Sequence, residues 1–176
     1  MSAPVIAEPW LRGPVEGVPP LLQPAAHALI LAVEEIESAI GGLSPTALTL
    51  EPHGAASVSF HIRHAAGSLD RLYTYARGEM LSEPQREALV AERQPSALAD
   101  ADAHLSMLRA QVDRALAQLR ATSESSLGDR REVGRKRLPS TVLGLLFHGA
   151  EHTARHTGQV VTTARIAAAM EARQTD

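Results

Sequence analysis

Apolar residues recur every three or four positions through four long stretches of the chain, the period of a helix with one buried face. The first runs from about Leu21 to Ile40, with Leu22, Ala26, Leu29, Val33, Ile36 and Ile40 in register, Pro24 in its first turn and Gly41-Gly42 closing it. A loop through Pro45 and Pro52-His53-Gly54 leads to a second helix from about Ala55 to Arg77, which Gly78 can end as a left-handed cap. Ser82-Glu-Pro-Gln85 has the spacing of a capping box and predicts a short helix to about Arg93, broken by Pro95. From Ser96 as N-cap, Leu98, Ala101, Leu105, Leu108, Val112, Ala115 and Leu119 mark a third long helix. Residues 123–138 are polar, contain two glycines and read as a loop, and Pro139-Ser140 opens a fourth helix to about Ala172. No strand or hairpin pattern competes with this reading.

Four long helices with no internal repeat predict an all-α four-helix bundle. The connection between helices two and three, about eighteen residues with its own short helix, is long enough to traverse the bundle, so those two helices can run parallel. Residues 1–20 are punctuated by Pro4, Pro9, Pro14, Pro19 and Pro20 and are expected to lie across the body as an extended lead, leaving residues 21–176 as one domain. A chain of 176 residues can bury such a core without disulfides.

Charge removes several classes of function. The net charge of −3 gives no general case for nucleic acid or an anionic membrane as partner. The one basic cluster, Asp129 to Arg137, lacks interleaved aromatics and reads as a solvated loop. No apolar stretch is long enough to span a bilayer, and the start of the chain lacks the pattern of a signal peptide. Cysteine is absent, which fits a reducing compartment; a cytoplasmic protein is expected, and any thiol chemistry needs an external thiol. Sixteen arginines against a single lysine, with abundant alanine, suggest a GC-rich genome.

The fourth helix carries the most pointed chemistry. His148, His152 and His156 are spaced by four, and four residues advance a helix by about 400°, so the imidazoles stack one turn apart with a drift of only about 40°. Adjacent-turn histidines can reach one metal ion, and a third ligand on another helix would leave a position open for water or substrate. His61 and His64, three apart on helix two, supply that third candidate.

The stretch His61-Ile-Arg-His64-Ala-Ala-Gly-Ser-Leu-Asp-Arg-Leu, followed by His148-Gly-Ala-Glu-His152-Thr-Ala-Arg-His156-Thr-Gly-Gln, resembles the DinB-like family, the DinB/YfiT-type bundles of damage-inducible and thiol-transferase proteins. The resemblance covers most of the chain. It implies an up-down-down-up four-helix bundle, often a homodimer, binding nickel, zinc or a related divalent ion, with iron and copper compatible with the same donors. It places the metal ligands on His64, His152 and His156, with Gly158-Gln159 completing the motif. Thr157 stands where a basic residue is common in the family. Members with known activity use the metal to activate a low-molecular-weight thiol for transfer or isomerisation on a small-molecule substrate.

His61 and His148 are read as neighbours of the ligands, and His27, His53 and His104 as surface or packing residues. Glu151 and Arg155 have the spacing of an exposed ion pair, although Glu151 is also the nearest candidate for a general base. Gln159 is a candidate to fix a ligand or bound water, with a buried interhelical hydrogen bond as its alternative. Tyr73 and Tyr75 are expected in the core. Three classes of function stay open: a metal-dependent enzyme acting through an external thiol, or as a hydrolase; a non-catalytic metal-binding stress or sensor protein; and a bundle whose histidines only pack.

Overall fold

In the computed structural model, which describes residues 7–96, 98 and 100–175, the protein is predominantly α-helical. Four long helices, α1 (Gln23–Ile40), α3 (Val58–Ala76), α5 (Ala101–Ala121) and α6 (Val142–Thr175), are accompanied by two short ones, α2 (Pro45–Thr49) and α4 (Glu83–Ala91). The apolar face of each long helix is the one its spacing predicts. Leu22, Leu29, Ile36, Ile40, Ile62, Leu69, Leu108, Leu119 and Leu146 are all buried, and form one core with Tyr73 and Tyr75.

The long helices pack as α3 on α6, α1 on α6, α3 on α5, and α1 on α5. Side-chain pairs mark each seam. Tyr73 lies near Leu146 and His61 near His156 between α3 and α6, whereas Ser59 meets His104 and Arg77 meets Gln118 between α3 and α5. Glu37 of α1 pairs with Arg109 of α5, and Ser44, just beyond α1, donates to Glu171 near the end of α6. At the α3–α6 seam Gly149 is required: a Cβ there would lie 2.8 Å from the Tyr73 ring.

The caps are local and chemical. Ser57 accepts from Phe60 N at the start of α3, Gly78 closes it at φ +82, and the Ser82–Gln85 capping box opens α4. The described part of the lead crosses the body as expected, held by a bidentate Arg12–Glu34 pair at 2.6 Å, by Gln23 on the backbone of Val15 and Val18, and by Arg120 on Glu16 O.

Three expectations are corrected. Residues 45–49 form the short helix α2, capped by Ser44, where a loop was expected. Helix α5 starts at Ala101, because Asp100 accepts from Ala103 N and is the true N-cap; Ser96 Oγ instead accepts from Leu98 N in a local turn, and Ala97 and Ala99 lie outside the described residues. The expected loop at 123–138 and the expected helix start at Pro139-Ser140 instead contain an antiparallel hairpin, β1 (Arg130–Val133) with β2 (Leu138–Thr141). Pro139 argues against a strand in a wide sheet, but in a two-stranded ribbon every strand is an edge and its missing N–H costs nothing. The hairpin leads directly into α6: Val142 N donates to Asp129 O and Leu143 N to Leu127 O, satisfying amides that a helix start leaves without intrahelical partners. Thr141 caps the helix by accepting from Gly144 N. Residues 1–6 of the expected lead and Asp176 lie outside the described residues.

Candidate metal centre

His64 comes from the second turn of α3 and His152 and His156 from the middle of α6, so each backbone is already fixed by its helix. The structure brings these three together: one ligand atom from each lies within 4.8 Å of the others. His64 Nε2 is 3.1 Å from His152 Nε2. For imidazole nitrogens at about 2.0–2.1 Å from a tetrahedral ion, the edge between two donors is about 3.3 Å, so this separation suits a shared ion. The ring centroids of His64 and His156 are 4.7 Å apart, and those of His152 and His156 4.6 Å.

The proton positions sharpen the fit. His64 Nδ1 lies 2.8 Å from Glu92 Oε2, and a carboxylate can only accept, so Nδ1 carries the proton and the lone pair of neutral His64 is at Nε2. That lone pair faces His152 Nε2, whereas the other ring nitrogen of His152, Nδ1, is buried with no hydrogen-bond partner among the described residues. A buried nitrogen left unpaired is costly. The donor set, three imidazoles on two facing helices, fits a divalent ion of the zinc or first-row type.

Burial, reinforced by the neighbouring His64, holds His156 at about 4 and also lowers His152 and His61 below the ordinary histidine value. These three rings are therefore neutral at pH 7, the form that binds a metal.

Glu92 is the neighbour of the histidine cluster that the sequence pattern does not reveal. It stands at the C-terminal end of α4, only 6% exposed, and is also gripped by Arg71 Nη1 at 2.5 Å. Burial pushes its carboxyl up, but the hydrogen bonds from His64 and Arg71 outweigh this and hold it below the ordinary range. Glu92 and His64, whose Nε2 faces His152, have the carboxylate–histidine arrangement that orients a ligand where a metal is bound. The only trace in the sequence is on α3, where His64, Gly67 and Arg71 share a face at helical spacing. Gly67 is needed there because a Cβ would collide with Glu92 Oε1 and lie 2.8 Å from Arg71 Nη1. Phe60 stacks on His64, with centroids 5.5 Å apart and planes 8° from parallel, and limits its rotation.

The other candidates fall outside the cluster. His61 is buried and lies at 3.1 Å, Nδ1 to Nδ1, from His156, so it supports that ring from behind. His148 is half exposed and pairs with Glu151 at 3.3 Å. Glu151 also accepts from Arg155, as the exposed i,i+4 pair expected from the sequence. Gln159 is exposed on α6 and makes no buried interhelical bond. Thr157 is buried with its hydroxyl on Thr153 O, so this position faces the packing rather than a ligand. His104 is fully buried and structural: Nδ1 donates to Asp100 O and Nε2 accepts from Ser59, both at 2.7 Å.

No helix among the described residues is long and apolar enough to cross a membrane. No curated protein matches the chain. A family model described as the DinB superfamily matches residues 28–160, a span that starts within α1 and ends beyond His156, the last of the three α6 histidines. Since that match covers well over half of the sequence, the chain belongs to the DinB superfamily.

Proposed function

We propose that this protein is a DinB-type four-helix bundle whose His64, His152 and His156 hold a divalent ion, and that it activates an external low-molecular-weight thiol in an S-transferase or isomerase type of reaction on a small electrophile. The observation that carries the proposal is the convergence of three imidazole nitrogens from two helices within 4.8 Å. The seam pairs support an up-down-down-up order: residue numbers rise together along α3 and α5 and along α1 and α6, and run oppositely between α3 and α6. Zinc or nickel suits the donors best, with iron and copper as further candidates.

A divalent ion held by three protein donors keeps a position open and would maintain a bound thiol or water as its anion near neutral pH. The chain has no cysteine, so that thiol comes from outside. Thiol activation is favoured over hydrolysis because both nearby carboxylates are engaged, Glu151 by Arg155 and His148 and Glu92 by Arg71 and His64. A cytoplasmic homodimer with a small-molecule partner, and neither nucleic acid nor membrane, belongs to the same proposal; the net charge of −3 supports it.

Elemental analysis of tag-free protein, purified without added metal or chelator, tests the centre beside His64→Ala and His152→Ala. Near-stoichiometric metal in the parent, lost in both variants, is expected, followed by turnover in a screen of thiols with electrophiles. A protein without metal that also fails reconstitution would sink the proposal. Metal without turnover would leave a metal-binding stress or sensor protein.

A further inference from the structure

The crossover that carries Glu92 is unusually weakly packed. None of the nine residues of α4 is buried. Beneath it, between α3 and α5, lies a cavity of about 330 Å³ lined in part by Gly67, Ala88, Ala91, Glu92, Met107 and Gln111. What fastens the segment is polar. Gln85 donates to Asp70 Oδ2 and Thr74 Oγ1, both at 2.7 Å; Arg63 reaches across from α3 to the carbonyls of Ala91 and Gln94; and Glu92 is clasped by Arg71 and His64. An element with little apolar burial opens locally at low cost. One of the bonds made by the buried Glu92 ends on a metal-ligand candidate, His64.

We propose that Glu92 is the positioning residue of the metal centre, and that through the Glu92–His64 bond the crossover, residues 82–96, is locked onto α3 when an ion is bound. The inference rests on the metal reading above. A cation on His64 Nε2 strengthens the N–H at Nδ1 as a donor to Glu92, and a docked Glu92 makes Nε2 a better donor to the cation. Coupling of this kind is reciprocal: the factor by which the docked crossover tightens metal binding is the factor by which metal tightens docking. Arg71 holds the carboxylate ionised and aimed, and the missing side chain at Gly67 lets it approach.

Zinc affinity, measured by competition with a chelating dye, and amide exchange of residues 82–96 with and without zinc test the coupling in the full chain. Glu92→Gln keeps the shape and removes the charge. It is expected to weaken zinc binding by about 10–100-fold, and to abolish the zinc-dependent slowing of exchange in the crossover. Arg63→Ala, which frees the end of α4 without touching Glu92 or a ligand, is expected to weaken zinc binding several-fold while α3 and α6 keep their exchange protection; this second variant carries the test where Glu92→Gln does not fold. Zinc binding by Glu92→Gln within two-fold of the parent, or crossover exchange indifferent to zinc in the parent, would overturn the coupling and leave the metal centre standing. A parent that binds no zinc would overturn both.

Discussion

Surroundings, more than residue type, decide what each histidine does here. His104 and His152 are both packed between helices, yet each nitrogen of His104 has a partner, Asp100 O and Ser59 Oγ, while His152 keeps one buried nitrogen unpaired. The first has both polar atoms satisfied within the fold, and the second turns its Nε2 towards His64 Nε2 at 3.1 Å. Ser59→Ala therefore leaves the buried Nε2 of His104 without a donor and is expected to cost about 1–3 kcal/mol, read as a lowered denaturation midpoint, with metal content unchanged. Metal lost in that variant would place His104 in the centre. In the sequence, His148, His152 and His156 are equivalent members of one row. Only the opposing helix distinguishes them, because His64 lies against the last two while His148 meets Glu151 on the exposed side.

Among the elements, those defined by their own chemistry were legible from the sequence and those defined by distant contacts were not. The capping box at Ser82 and the glycine stop at Gly78 need only local residues, and both form as spaced. The start of α5 depends on whether Ser96 or Asp100 takes the cap, and two plausible caps four residues apart cannot be ranked by apolar period alone. The hairpin at 130–141 has four-residue strands, one containing Pro139, too short for alternation to register. Glu92 was unreadable for a different reason: its partners, Arg71 and His64, lie 21 and 28 residues away across a turn of the chain. For α4, the polar fastening gives a separable prediction. Gln85→Ala removes one half of the capping box and both contacts to α3, a loss of about 1 kcal/mol that corresponds to roughly five-fold faster exchange in residues 83–91. The global melting temperature should barely move. A large fall in it would mean that α4 is part of the cooperative core.

At the scale of the whole molecule, the buried neutral imidazoles tie stability to pH. His156 titrates at about 4 in the folded chain against 6.5 for an unperturbed histidine, and His152 and His61 are shifted the same way. Between those values the unfolded chain holds more protons than the folded one, so stability rises with pH across this window. The metal-free protein should be at full strength from these groups above pH 6.5 and lose it progressively as the pH falls towards 4. Urea denaturation at pH 7.5, 5.5 and 4.5 checks this, and a midpoint that stays level would refute neutral burial of the rings. Saturating metal at a hundred times its dissociation constant is expected to add about 2.7 kcal/mol at pH 7, and to add less at pH 5, where protons compete for the same nitrogens.

The two α6 donors are one turn apart on a 34-residue helix, far from either frayed end, so their spacing is set by the helical rise and does not adjust. The third donor rides on α3, whose closeness to α6 depends on the bare backbone of Gly149 beneath the Tyr73 ring. On the proposed assignment the centre is therefore a caliper with one rigid jaw: the radius of an ion is gauged as the gap between two helices, and a glycine three residues before His152 sets the zero of the scale.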